Sequence, residues 1–514
     1  MSRAGRHHAP TATLGDILRR NAALRPHVEA VTDGTKRLSW RELFACADRA
    51  AQRLASYGME PGERIVVALP NSLEGLLLYW ACALGGVIFV GASPRLGRDD
   101  LRGIITHCGA KMLFLPTTAR IAELELRGMR CVPVDDDPTG FFTAGDLPTE
   151  DDDRNRMLDA DATFTIGYTS GTLGPAKGAI LSHGNLLWNA ARVGDILRLV
   201  ESDVVLLTVP ITHIFGLSAG VLAAAMAGAR TVLVRDHAAG PALDLCEWEG
   251  VTVHHGTPTM FVLELAAQAR VPRDLSSLRT GIVAAAPVSP ELIDAIRSEL
   301  NCDVQIAWGL TETAPAVTMT RFDDPPEARR SSVGRPLPDA VLRIEPVAED
   351  ITYGEILVKS PGVFGGYFGD AQRTCEAFTH DGWFRTGDLG WIDDEGFLHL
   401  AGRAKEIIIR GGLHVFPEEV EGLIRTLPWI EAVAVVGIPD PVLGERTCAC
   451  VVLCSDAPAP EDTGAAVRSV VGERLADFKV PDAVLRVPEL PRSVGGKVLR
   501  RVLREDAIAR LAAS

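Results

Sequence analysis

The chain has 514 residues, 47% of them hydrophobic and 23% charged, which is ordinary for a globular protein but too long for a single hydrophobic core, so two or more domains are expected. With 67 acidic against 52 basic residues the formal net charge is -15. The basic pairs Arg329-Arg330 and Arg500-Arg501 are too short to form a patch, which excludes nucleic acid and anionic membrane surfaces as general partners.

From the N-terminus, MSRAGRHHAP is polar, lacks the apolar core of a signal peptide and reads as a loose tail. Ser39 and Glu42 form a capping-box pattern ahead of the helical run LFACADRAAQRLASYG, which Gly58 stops. Arg64 to Pro70, Val204 to Pro210 and Thr231 to Val234 read as buried strands. The apolar run from Gly216 to Ala229 is too short to span a membrane, is interrupted by Ser218, and predicts a buried helix. Ser289 followed by Pro290 opens another helix, ELIDAIRSEL. Such alternation predicts a large, multi-layer α/β domain over residues 1–404.

Near residue 400 the texture changes. A short strand at Ile407 to Arg410, a double glycine, a helix from Pro417, strands at Ala432 to Gly437 and Thr447 to Cys454, and a helix through Val471 predict a small α+β domain over 405–514. The ten cysteines include no CxxC pair, and the densest group, TCACVVLC, reads as small hydrophobes in a buried strand. A reducing, cytoplasmic setting is expected.

Chemistry concentrates first in Tyr168 to Gly178, YTSGTLGPAKG. Its glycines leave backbone N–H groups unobstructed, Thr169, Ser170 and Thr172 add hydroxyls, and Lys177 adds a cation, which are the ingredients of an anion cradle. A Walker A loop needs G-x-x-x-x-G-K-[ST] opening into a helix. Here Ala176 precedes Lys177, Gly178 follows it, and AILS reads as a strand, so the loop joins two strands and a P-loop NTPase is disfavoured.

The stretch resembles the nucleotide loop of the adenylate-forming superfamily: acyl- and aryl-CoA synthetases, peptide-synthetase adenylation domains and beetle luciferases. The usual pattern there is close to YTSGTTGxPKG; this sequence departs from it at Leu173 and at the early Pro175. Losing one hydroxyl contact to a charged group costs about 1.5–3 kcal/mol, so weaker ATP affinity is implied. Four later segments resemble further motifs in the family's order. Trp308-Gly309-Leu310-Thr311-Glu312 resembles YGxTE, which implies Trp308 on adenine, Thr311 at the α-phosphate and Glu312 on Mg2+. Trp383 to Asp388 resembles W-x-x-TGD, implying that Asp388 accepts from the ribose hydroxyls. Gly402 to Glu406 with Gly411-Gly412 resembles the hinge motif, with Arg403 at ribose, Lys405 the pivot and the glycines beside the CoA tunnel. Pro491 to Lys497 resembles PxTxxGK and makes Lys497 the lysine that neutralises charge as the carboxylate attacks the α-phosphate.

The resemblance therefore implies the adenylate-forming fold, with a small mobile C-terminal domain, and an AMP-forming acid–CoA ligase using ATP, Mg2+ and CoA. Its implied nucleotide site comprises Thr169, Ser170, Gly171, Thr172, Gly174, Lys177, Ala285, Ala286, Pro287, Trp308, Gly309, Thr311, Asp388 and Arg403. Pro210 to Leu217 resembles the PxFHxxGL stretch of fatty- and aryl-acid ligases, which implies His213 as a catalytic residue between the acyl pocket and the CoA tunnel, and His213 and Phe215 at the acyl pocket with Ala284, Gly309 and Ala314. No Asp stands there to pair with an amino acid's ammonium, and no Arg or Lys to meet a second carboxylate, so a medium or long aliphatic, aryl or other bulky monocarboxylate is expected. Gly309, where acetate-activating relatives have Trp, is read as leaving room for it, while the methyls of Ala284 to Ala286 narrow the wall. A carrier protein's phosphopantetheine is the alternative acceptor, a non-catalytic nucleotide- or acyl-binding paralogue the alternative class, and a homodimer the oligomer left open.

Overall fold

The computed structural model describes residues 13–117, 129–134, 141–142, 158–169, 177–346, 353–403, 406–410, 413–455, 460–492 and 498–513. It divides into two compact units, Met1–Leu342 with Val358–Phe384, and Arg343–Leu357 with Arg385–Ser514. By compactness, 343–357 and 385–403 group with the C-terminal residues, whereas the hinge motif divides the chain at residue 404.

Among the described residues the first unit holds two sheets. The larger runs, edge to edge, Arg335–Pro336, Thr318–Met319, Asp303–Trp308, Thr280–Val283, Val253–His254, Val204–Leu207, Arg230–Leu233, Glu29–Asp33 and Lys36–Ser39. Pairing is parallel from Asp303–Trp308 across to Glu29–Asp33 and antiparallel at both edges. The second sheet runs Arg130–Pro133, Met112–Leu115, Arg64–Val67, Ile88–Gly91, Thr163–Thr169 and Lys177–Ser182, with only the last pair antiparallel. Parallel strands covered on both faces need unbroken apolar runs, and Ile65, Val66, Val67, Leu206 and Leu207 are fully buried. The helix Leu73–Gly85 is apolar on every face except at Glu74, which is paired with Lys36, and it is buried along all but its last residue. It packs on strands of both sheets.

The helix starts follow the sequence. Ser39 and Glu42 close a capping box at Trp40–Ser56, and Gly58 takes φ +80° beyond its end. The Leu292 N–H donates to Ser289 Oγ at Pro290–Glu299. The run from Gly216 is a buried helix, but its first part, Gly216–Leu222, is a π-helix, with Ala223–Ala227 α-helical behind it. Among the described residues no helix is long and apolar enough to cross a membrane.

In the second unit the strands Gly444–Leu453 and Ile430–Asp440 pair antiparallel, and their central residues are buried on both faces of the sheet. Val433, Val435, Ala449 and Val451 face the helices Pro417–Ile424 and Thr463–Gly472. Ala434, Val436, Cys448 and Cys450 face Leu503 and Ala507 of Arg500–Ala513. The cysteines of TCACVVLC are thus strand residues; Cys448 and Cys450 lie in this core and Cys454 follows the strand half-buried.

Candidate active site

Parallel strands in one sheet all deliver their following loops to the same end, and ligands of open α/β sheets bind there. Val204–Leu207, Thr280–Val283 and Asp303–Trp308 run parallel, so the segments 208–215, 284–287 and 309–314 leave from one edge. These are the segments singled out in the sequence for acid and nucleotide.

The hairpin Thr163–Thr169 to Lys177–Ser182 pairs Tyr168 with Gly178 and Thr169 with Lys177, so the phosphate-loop sequence joins two strands. Ser170, Gly171, Thr172, Leu173, Gly174 and Pro175 lie outside the described residues. Gly167 is needed for close approach, since a Cβ there would stand 2.6 Å from Thr311 Cγ2. The hairpin is thereby brought against the Thr311–Thr313 turn.

That turn carries the buried side chains of Thr311 and Glu312, 9% and 7% exposed. Tyr367 Oη donates to Glu312 Oε1 at 2.8 Å, and Lys177 Nζ sits 5.0 Å from the centre of the Tyr367 ring. Burial, then the neighbouring Glu312 carboxylate, pushes the Tyr367 phenol up, so it stays a donor at neutral pH. The segment around Tyr367 is sewn to both partners: Phe364 N–H donates to the Glu312 carbonyl, Gly365 N–H to Ile180 and Phe368 N–H to Gly178. Tyr367 was not singled out from the sequence. Its signal is weak, an aromatic after Gly365-Gly366, with Gly366 at φ +127°.

Trp308, 7% exposed, ends its strand. At Gly309 a Cβ would lie 1.9 Å from the Pro315 carbonyl oxygen, so glycine is required by backbone approach. This corrects the reading of Gly309 as open pocket space, because its side-chain direction is filled by residues 315–316 of its own turn. Ala314 is fully buried at φ +67°. Ala284 is half-buried, Ala285, Ala286 and Pro287 are exposed, and Ala285 adopts φ +73°, a conformation that favours glycine.

His213 keeps an exposed face although its ring is crowded, and lost hydration holds its imidazole below the usual range. Its Nδ1 accepts from Phe215 N–H at 3.3 Å, turning the chain into the π-helix. Phe215 is buried, with its ring 6.1 Å from that of His255.

In the second unit, Asp388, 8% exposed, and Arg403 are register partners across the strands Phe384–Ile392 and Leu398–Arg403. The Asp388 N–H donates to Thr386 Oγ1, which donates in turn to the Ile356 carbonyl, fixing the turn that Gly387 makes at φ +71°. Lys405, Gly411, Gly412 and Lys497 lie outside the described residues.

The donor set fits a hard cation shared with substrate phosphates. Glu312 offers a carboxylate beside the hairpin, and among the described residues no cluster of three or more His, Cys, Asp or Glu forms a cage. Mg2+ is commonly bound that way, by one or two carboxylates plus phosphate oxygens.

The family model described as AMP-binding enzyme matches residues 18–368, and that of the AMP-binding enzyme C-terminal domain matches 419–497. The chain belongs to the AMP-binding enzyme family. This AMP-binding enzyme is 31% identical to the mitochondrial medium-chain acyl-CoA ligase ACSF2 of Macaca fascicularis, covering 98% of this chain and 88% of that protein. It is 34% identical to a feruloyl-CoA synthase of an Amycolatopsis species, over 96% and 98% of the two chains. The crystal structure of ATP-bound MatB from Rhodopseudomonas palustris superposes with a TM-score of 0.86 at 30% identity, over 97% of this chain and 99% of that one. The enzyme has the adenylate-forming fold.

Proposed function

We propose that this enzyme, an AMP-forming acid–CoA ligase, couples a bulky monocarboxylic acid to CoA, with the sites divided as follows. Lys177 and the hairpin loop hold the phosphates, and Trp308 and Ala285 to Pro287 surround the base. Asp388 and Arg403 hold the ribose, and Glu312 holds the Mg2+ that screens phosphate charge when bound. The acid lies between His213, Phe215 and Ala284. Its carboxylate oxygen attacks the α-phosphorus, the bond to pyrophosphate breaks, and an acyl-adenylate forms. Lys497 steadies the charge that develops on the α-phosphate oxygens. The C-terminal domain then turns about Lys405, Lys497 leaves, and Gly411-Gly412 line the thiol path. CoA thiolate attacks the acyl carbon and AMP departs, which a free carboxylate's oxygen would not do.

The observation that carries this reading is the chain of contacts Lys177–Tyr367–Glu312, which joins the end of the phosphate-loop hairpin to a buried carboxylate. A cytoplasmic setting is part of the proposal and rests on ten free cysteines.

Pyrophosphate release is to be measured with ATP and Mg2+ over aliphatic, aryl and polycyclic acids, with and without CoA. Release with a subset of acids, and AMP with acyl-CoA when CoA is added, is expected. Thioester only on a carrier protein's phosphopantetheine would reassign the acceptor. Absence of pyrophosphate with every acid would refute the adenylation assignment.

A further inference from the structure

Two residues of opposite charge flank the hinge and lysine motifs in the sequence. Glu406 directly follows the pivot Lys405, and Arg500 stands three residues after Lys497. The structure joins them: Arg500 Nε lies 3.0 Å from Glu406 Oε2. The same guanidinium donates from Nη1 to Glu421 Oε1 at 2.5 Å and to the Val435 carbonyl at 2.9 Å, and from Nη2 to Glu421 Oε2 at 3.2 Å. Glu421, only 2% exposed, also accepts from the Val435 N–H at 2.7 Å and from Arg425 Nη2 at 2.9 Å. Three elements are therefore pinned to one half-buried cation: the residue after the pivot, the helix Pro417–Ile424 and the strand Ile430–Asp440.

Arg500 is also the first residue of the helix Arg500–Ala513, and the lysine loop is closed immediately before it. Arg492 and Val498 form an antiparallel bridge, and Leu499 N–H donates to the Pro491 carbonyl at 2.7 Å. The two residues that flank 493–497, Arg492 and Val498, are thus held together two residues before Arg500. The site is more acidic than the pair alone requires. Burial, then Glu421, Glu406 and Asp388, raise the Glu418 carboxyl, and Arg500 opposes them.

We propose that Arg500 is a positioning residue for adenylation: its ion pairs to Glu406 and Glu421 lock the base of the Lys497 loop to the segment leaving the pivot, so that hinge and lysine move as one body. A flexible link would let the domain turn without delivering the ammonium to the α-phosphate. Displacement of a charged group by about 1 Å costs on the order of 10²-fold in rate. The inference rests on the roles given above to Lys497 and Lys405.

The test uses the full-length enzyme and assays the half-reactions apart, as pyrophosphate release from ATP and acid, and as acyl-CoA formation from prepared acyl-adenylate and CoA. Glu406→Gln keeps the Arg500–Glu421 pair and removes only the pivot-side partner. It is expected to lower kcat for pyrophosphate release roughly 10- to 100-fold, with both KM values and the thioester half-reaction within about threefold of wild type. Arg500→Lys is expected to retain more adenylation than Arg500→Met. Should Arg500→Met fail to fold because it strands buried carboxylates, Glu406→Gln and Arg500→Lys decide the matter. Wild-type adenylation in Glu406→Gln, or equal loss in both half-reactions, overturns the proposal. Lys497→Ala in the same assays identifies which reading failed: adenylation intact in that variant removes the lysine assignment itself, whereas selective loss there with none in Glu406→Gln removes only the clamp.

Discussion

Glu312 owes its orientation to a residue that no local pattern connects with it. The carboxylate is buried, and its Oε1 accepts from Tyr367 Oη at 2.8 Å, which fixes the plane in which the other oxygen can meet a metal. Hydrogen bonds to charged groups contribute about 1.5–3 kcal/mol, which converts to roughly 10- to 100-fold in rate if the orientation is felt in the transition state. Tyr367→Phe is accordingly expected to lower kcat for pyrophosphate release by roughly that factor while lowering stability by no more than about 3 kcal/mol, because the ring packing on Phe364 is retained. Steady-state pyrophosphate assays and urea melts on the same preparation check both halves, and an unchanged kcat would show that Tyr367 is packing only. Trp308, Thr311 and Glu312 were legible because they share one short motif. Tyr367 was not, because its partner stands 55 residues away.

At the scale of elements, the turn from Trp308 to Ala316 shows what a motif hides. Resemblance to the YGxTE motif marked the turn, but not that it folds back on itself so tightly that Gly309 faces the Pro315 backbone. Two accounts of Gly309 now predict different outcomes. If the position only sets pocket size, Gly309→Ala would shift preference toward short acids with total activity preserved. Backbone contact at 1.9 Å requires the turn itself to move, carrying Trp308 and Thr311 with it. Loss of pyrophosphate release with every acid tested, from two-carbon to aryl, is expected, together with a lower melting temperature. A variant that merely prefers acetate would restore the pocket-size account. The π-helix Gly216–Leu222 was hidden for a related reason: its apolar run predicts a helix, whereas the wider i to i+5 bonding leaves no mark in composition.

For the whole molecule, long apolar strands and capped helices were legible because hydrophobic pattern and cap chemistry are written locally. The centre of the large sheet was not. Val253–His254 runs straight into a second histidine, so polarity interrupts the apolar signal in the middle of the fold. His255 is fully buried; burial first, then His254, hold its imidazole down to about 3, and burial holds that of His183 down to about 4. Both accept at Nδ1, from Ile282 N–H and from Leu14 N–H, which the neutral ring alone permits. The unfolded chain binds a proton on each at about pH 6.5, so below that pH the unfolded state takes up more protons than the native one. Stability is therefore fully present above about pH 6.5 and falls as pH drops toward 4, by about 1.4 kcal/mol per pH unit for each fully shifted histidine. His255→Gln, which keeps an acceptor for Ile282, is expected to be less stable at pH 7.5 yet to show a shallower decline between pH 6.5 and 4.5. Urea midpoints of the two proteins across that range measure the difference in slope, and parallel pH profiles would mean that His255 is already protonated in the fold or never protonates in the unfolded chain.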